Sequence, residues 1–371
     1  MKIPLVYRRF RQPKWIAILG IFSISLFILV LHSSHYLPFI SDDSLISLRY
    51  AKRLLQGEGL TWTRGETVEG YSNLLWILLV SLLGLCQIDL ISATRILGII
   101  GMGFALLAHI QLYASQSLAF KKSIFPLFVG QLFFVLSAPV AIWTIGGLEQ
   151  PLIAGGLAWT IVLMFQILSS DSLQSRTVLL LSLCLGVLAI SRSDGFIFTF
   201  ITLAAIVIIR GINSRTMLLC LQTLVFPLVF CGGQTIFRLW YYRELIPNTA
   251  LVKVSPSLFH FSEGWNYLTT GFFSLGPFSF ISICSLVFML WSQTVERYKA
   301  IFLIIIATVW SFYLGFIGGD IFPAFRHFIP LIVIMPFAIT NGILYIWQRL
   351  RTILSKAILI FIRCKINLQE P

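Results

Sequence analysis

The sequence predicts an all-helical fold embedded in a membrane, and three observations predict it. Of 371 residues, 58% are hydrophobic and only 11% are charged. The mean hydropathy is +0.91, well above what a soluble globule carries. The apolar residues also fall in runs long enough to cross a bilayer. One long polar segment, Ser41 to Trp76, interrupts them near the start.

Ten runs are expected to span: 15–36, 91–116, 123–143, 148–168, 176–191, 195–210, 215–237, 270–291, 299–317 and 326–347. The first follows Lys2, Arg8, Arg9, Arg11 and Lys14, and the His32-Ser33-Ser34-His35-Tyr36 after it offers no small-residue cleavage site. It is read as an uncleaved anchor. Residues 74–86 are too few to cross and predict a half-embedded helix on the same side as the opening loop. Runs 176–191 and 195–210 are short enough to form a hairpin that leaves Arg192 and Asp194 below the surface. The whole, residues 1–371, reads as one transmembrane domain with external loops at 41–76 and 238–269 and a basic tail at 348–371. Within that tail, 352–363 is expected to lie on the cytoplasmic surface.

Charge sets the sidedness. With 74–86 not crossing, the N-terminal side holds 17 Lys and Arg against three acids, and the other side holds 10 against 11. Positive-inside placement therefore puts both termini in the cytoplasm and accounts for most of the net charge of +13. No basic face alternates with exposed aromatics, so nucleic acid is not an expected partner. The six cysteines have no paired spacing and predict neither disulfides nor a metal knuckle. The histidines lack ligand spacing as well.

The same topology gathers the polar clusters outside: Gly146-Gly147-Leu148-Glu149, Ser191-Arg192-Ser193-Asp194-Gly195, Phe237-Arg238 through Lys253, Gly318-Gly319-Asp320 and Arg326-His327. Ionisable groups at membrane depth are costly and usually line a cavity. They are expected to converge with Asp42 and Asp43 on one outward-opening, positively lined chamber. Between the acidic pair and Gly57, the stripe Leu45, Leu48, Ala51 and Leu55 predicts an amphipathic helix on the membrane surface. Each residue also has a plainer reading. One of Asp42 and Asp43 can cap that helix, Glu149 and Asp194 can be helix-end ion pairs, the arginines and Lys253 can be snorkelling anchors, and Asp320 can be a turn residue.

The stretch DDSLISLRYA, with GEGL, GETVEGYSNLLW, GGLE, SRSDG, FRLWYYRELIPNTALVK and GGDIFPAFRHFIP in that order, resembles the polytopic GT-C glycosyltransferases. The likeness runs from about Ser41 to Pro330 and is nearest to the cell-wall arabinofuranosyltransferases that use a polyprenyl-phosphate arabinose donor. Two departures stand out: Ser193 occupies a position where proline is usual, and larger relatives carry an extra C-terminal soluble domain. The resemblance implies the GT-C fold, Asp42 and Asp43 as the catalytic pair, and Asp42 as the base. It implies transfer from a lipid-phosphate sugar to a glycan, lipid or protein acceptor at the external face of a bacterial inner membrane.

For that chemistry Arg95, Arg192, Arg238, Lys253, Arg326 and His327 are the expected holders of the donor phosphate, since a fixed fork of donors matches its oxygens. Glu69, Asn73, Glu149, Asp194 and Asp320 are the expected substrate contacts. One base without a carboxylate nucleophile predicts inversion. No cofactor is expected; the leaving group has one phosphate, so no divalent ion is required. A lipid-linked-sugar transporter or flippase is the alternative, and a scaffold for envelope enzymes is a third.

Overall fold

The computed structural model describes residues 15–115, 124–170, 174–245 and 258–367. Helix α1 (Trp15–Ser34) is the expected anchor, and α2 (Asp42–Leu55) is the expected helix after the acidic pair. Gly57 and Gly59, both at positive φ, end it. Its buried face differs from the predicted stripe: Ser44, Ser47, Leu48, Tyr50 and Ala51 are covered, whereas Leu45 is half exposed. The reason is tertiary, because α2 packs on α3 (Leu74–Leu85) and turns its serines toward the bundle. At 12 residues α3 is about 18 Å long, well short of the roughly 30 Å hydrocarbon layer, as its sequence predicts.

The expected span 123–143 is broken into α5 (Phe125–Leu136) and α6 (Ala138–Ile145), which meet at 59°. Pro139, in the first turn of α6, has no N–H to continue the preceding helix. The following helices are α4 (Leu90–Ser115), which precedes that pair, then α7 (Gln150–Leu168), α8 (Ser175–Ser191), α9 (Ile197–Arg210) and α10 (Ser214–Tyr241). The expected span 270–291 is also two helices, α11 (Leu258–Ser274) and α12 (Pro277–Leu290), bent by 95°. Gly276 at φ +59° and Pro277 after it make that corner. Part of the expected second external loop is thus helical, since α10 runs to Tyr241 and α11 begins at Leu258.

Helix α13 (Val295–Ile317) leads through a 3-10 turn (Arg326–Phe328) into α14 (Ile329–Asn367), which is continuous. The predicted separate tail helix is its C-terminal end. Of the ten expected spans, six are helices long and apolar enough to cross by length and composition, two are the bent pairs, and α8 and α9 are shorter, at 17 and 14 residues.

Helix α7 and the first part of α14 form the centre. Their apolar windows are 72% and 89% buried, against 28% for α1 and 22% for α10. Lipid is as apolar as leucine, so small residues that let backbones approach hold such a bundle together. Gly98 on α4 illustrates this, because a Cβ there would lie 1.8 Å from the Thr144 carbonyl of α6. Gly98→Ala is expected to cost about 2 kcal/mol by overpacking, read as a lower melting temperature in detergent. Gly20→Ala, with nothing within 4 Å of its Cβ, should leave the melting temperature unchanged or raise it.

Candidate active site

The turns at one end of the bundle bring the polar clusters together. The α6–α7 turn approaches α2 directly: the Ser41 N–H donates to the Gly146 carbonyl at 3.0 Å, and Trp76 Nε1 donates to the Gly147 carbonyl at 2.9 Å. Gly147, at φ +86°, sits where a Cβ would meet Ser44 at 2.8 Å. That close approach brings Glu149 beside α2 and the chain before α3. Glu149 Oε2 accepts from Asn73 Nδ2 at 2.7 Å, and Asn73 Oδ1 accepts from Ser47 Oγ at 3.1 Å.

On its other side Glu149 Oε1 accepts from Arg192 Nη1 at 2.9 Å. Arg192 Nε and Nη2 each donate to Asp194 at 2.9 Å, and Tyr313 of α13 donates to the same carboxylate at 2.9 Å. Burial raises the proton affinity of Asp194, but Arg192 and Tyr313 more than offset this and hold its carboxyl at about 2.

The α13–α14 turn supplies the second cluster. Arg326 Nε and Nη2 hold Asp320 at 2.9 and 3.1 Å, and its guanidinium lies 4.3 Å over the Phe322 ring and 5.8 Å from that of Trp143. Ala324 and Phe325 take left-handed backbone at φ 58° and 47°, a costly conformation for non-glycine residues. The turn is held by Trp143 Nε1 on the Ala324 carbonyl at 3.2 Å and Trp310 Nε1 on the His327 carbonyl at 2.8 Å. For Asp320 burial outweighs Arg326, and its carboxyl lies above the ordinary range. His327 Nε2 is 3.8 Å from Asp320.

Both clusters open on one cavity of about 100 Å3, lined among others by Asp43, Ser47, Asn73, Glu149, Arg192 and Arg326. Asp43 Oδ2 is 3.7 Å from Arg326 Nη1, too long for a hydrogen bond. Asp42 is exposed at the first residue of α2, outside the cavity wall. Its side chain accepts from the Asp43 N–H at 2.8 Å, and the N-cap residue is Ser41, which makes no side-chain cap bond. Neither acid caps the helix.

The wall is not positively lined. Its lining sets Asp43 and Glu149 against Arg192 and Arg326, and those two guanidiniums are also held by Asp194 and Asp320. Arg238 also holds an acid already, as Glu69, 2% exposed, takes its Nε and Nη2. Among the described residues Arg95 has no carboxylate partner; its Nη2 donates to the Pro38 carbonyl at 3.3 Å and its buried Nε has no partner. Lys253 lies outside the described residues. No group of three or more His, Cys, Asp or Glu that could hold a metal occurs among the described residues.

Sequence reasoning missed Ser47, Tyr71 and Tyr313. Ser47 falls one turn after Asp43, on the same helical face, and Tyr71 belongs to the GYSN stretch. Tyr313 lies inside an apolar run and gives no signal.

No protein-family model matches the chain. The terminal beta-(1->2)-arabinofuranosyltransferase of Mycobacterium tuberculosis is 28% identical over 223 residues, covering 58% of this chain and 35% of that protein. The crystal structure of apo ArnT from Cupriavidus metallidurans aligns with a TM-score of 0.60 at 14% identity, over 89% of this chain and 59% of that one. The chain has the GT-C fold. The archaeal oligosaccharyltransferase AglB from Archaeoglobus fulgidus, solved with an inhibitory peptide and a dolichol-phosphate, shares this GT-C fold with a TM-score of 0.56 at 12% identity, over 93% of this chain and 52% of that one. The chain spans about a third of the curated relative and little more than half of each structure.

The Arg192 contacts predict a pH signature. A folded-state value for Asp194 below its unfolded one means that the contact stabilises the fold fully above about pH 4, and that this contribution is lost as pH falls through 2. Asp194→Asn leaves a buried guanidinium short of its partner and should cost about 3 kcal/mol at neutral pH. Thermal unfolding in detergent should show that deficit shrinking between about pH 4 and pH 2.

Proposed function

We propose that the chain is an inverting glycosyltransferase that moves a sugar from a polyprenyl-phosphate donor to an acceptor hydroxyl at the external face of the membrane. The observation that carries this reading is the convergence of four separate stretches, around Asp43, Glu149, Arg192 and Arg326, on one cavity beside an exposed carboxylate. The arabinofuranosyltransferase activity in the name of the mycobacterial relative supports a pentose as the transferred group.

Asp42, exposed beside the wall, is the general base that takes the acceptor proton. The acceptor oxygen then attacks the anomeric carbon, whose bond to the phosphate oxygen breaks, and the lipid phosphate leaves with the electron pair. Nη1 of Arg326, a lining residue whose nearest carboxylate is Asp43 at 3.7 Å, and Arg95, whose Nε has no partner, meet that phosphate. Asp43 keeps Arg326 turned to the cavity. Arg192, Arg238 and Asp320 then act through the carboxylate or arginine that each one holds.

Asp42→Asn is expected to lower transfer by about 100-fold or more in purified protein given a panel of polyprenyl-phosphate sugars, with folding intact. Asp43→Asn should weaken transfer less. The reverse order would move the base to Asp43, and full turnover by both variants would leave the carboxylate pair without a catalytic role. Covalent product in detergent also separates this reading from a flippase, which makes none. Sidedness is checked with Trp62→Cys, an exposed position in the opening loop, which should react with an impermeant thiol reagent from outside intact cells.

A further inference from the structure

We propose that Trp62, fixed by Arg49 beside the rim of the cavity, is a remote acceptor subsite that stacks a sugar ring two helical turns from Asp42. It therefore selects acceptors longer than one ring. Calling that ligand the acceptor rests on the transferase reading; the stacking itself does not.

The exposed residues of α2 form one stripe. Asp42, Leu45, Arg49 and Lys52, with Gln56 at the helix end, are spaced three or four apart and share a face. Four of these five are polar, and Leu48 and Ala51 of the expected membrane-facing stripe are buried in the protein. A helix lying in the bilayer interface needs an apolar outer face, so this one looks onto water.

Trp62 lies against that stripe and is 42% exposed, yet it is held. Arg49 Nε donates to the Trp62 carbonyl at 2.9 Å, and the guanidinium sits 4.6 Å from the ring centroid. The Tyr50 ring packs 6.1 Å from the indole. Arg53 Nε donates to the hydroxyl of the preceding Thr61 at 2.9 Å, and Gly65 at φ +86° turns the chain just after. An indole ordered in advance loses little rotamer freedom when a ligand arrives.

The ring also continues the cavity rim. Tyr50 follows Asp43 and Ser47 on one helical face, and both of those line the cavity. The Tyr50 hydroxyl donates to the Val68 carbonyl at 2.7 Å and accepts from the N–H of Gly70, itself a lining residue, at 2.9 Å. Along α2, Arg49 lies about 10.5 Å beyond Asp42, more than one sugar ring spans. A ligand whose hydroxyl reaches Asp42 thus meets Trp62 only through a later ring.

A sugar matches this surface. Its C–H face is apolar and partly positive, which suits the negative face of an indole. The exposed Lys52, Arg64 and Glu66 offer its hydroxyls donors and an acceptor. A lipid chain finds no apolar run on the stripe. A protein partner finds only Leu45 and Trp62 as exposed large apolar groups among residues 41–73, less than the core of an interface requires.

Saturation-transfer NMR on purified full-length protein in detergent reads binding without turnover. The probes are arabinose, glucose and mannose and the linear trisaccharide of each. At least one trisaccharide should bind about tenfold tighter than its monosaccharide. Trp62→Ala and Trp62→Cys, both at an exposed loop position, should remove that advantage and leave the monosaccharide unchanged, whereas Trp62→Tyr, which keeps a ring, should retain most of it. No trisaccharide preference in the parent, or one that survives in folded Trp62→Ala or Trp62→Cys protein, overturns the proposal. So does quenching of a fluorescent label on the Trp62→Cys variant by vesicle lipids with headgroup spin labels, which would place this side chain in the bilayer. A trisaccharide held through Trp62 by a protein that transfers no lipid-phosphate sugar would instead fault the transferase reading alone.

Discussion

Arg192 is the constraint on which the rest of the site depends. A guanidinium placed this deep is tolerated only when its donors are matched, since a buried charge without a partner costs several kcal/mol. Its three donor positions are taken by Asp194 and Glu149. Glu149 opens α7, the helix at the centre of the bundle, and passes the constraint through Asn73 to Ser47 on α2. Tyr313 ties the same carboxylate to α13. A chain of hydrogen bonds thus runs from α13 to the helix that carries the acidic pair.

The opening loop is fastened a second time, from α10. The Tyr241 hydroxyl accepts from the Leu60 N–H at 3.0 Å, and Tyr242 donates to the Leu60 carbonyl at 2.7 Å. The buried Glu69 closes the arrangement on Arg238 through two bonds, a geometry that adds direction as well as strength. Tyr71 and Asn73, on the cavity wall, follow directly in the chain from this clamp. The clamp fixes Tyr71 and Asn73 in advance of any ligand, so that binding energy is not spent on ordering them.

The charges at the site have a common logic. Arg192, Arg238 and Arg326 each come with an acid, because an unmatched cation at that depth would be the larger cost. These three arginines therefore serve chiefly to build the walls, and under the proposed function the groups left for chemistry lie at the edge: Asp42 and Asp43, Nη1 of Arg326, and Arg95. Local strain fits the same picture. The left-handed backbone at Ala324 and Phe325 persists because Trp143 and Trp310 hold the carbonyls on either side of Arg326.

The sequence by itself determined the class of fold, the helix after the acidic pair, the shortness of α3 and the clusters that meet at the site. Hydropathy, helical period and glycine punctuation are local properties, and they are written residue by residue. It did not determine the breaks at Pro139 and Gly276 as corners, which look like ordinary punctuation inside apolar runs. Nor did it show that Leu45 would be left out of the covered face while Ser44 and Ser47 went in, because that depends on which neighbour arrives. Pairing was decided only by the tertiary structure. Glu149 meets Arg192 across 43 residues and Glu69 meets Arg238 across 169, and a charge count taken along the chain cannot tell a free cation from a neutralised one. That is why a chamber expected to be positive proved to have both of its arginines matched by acids.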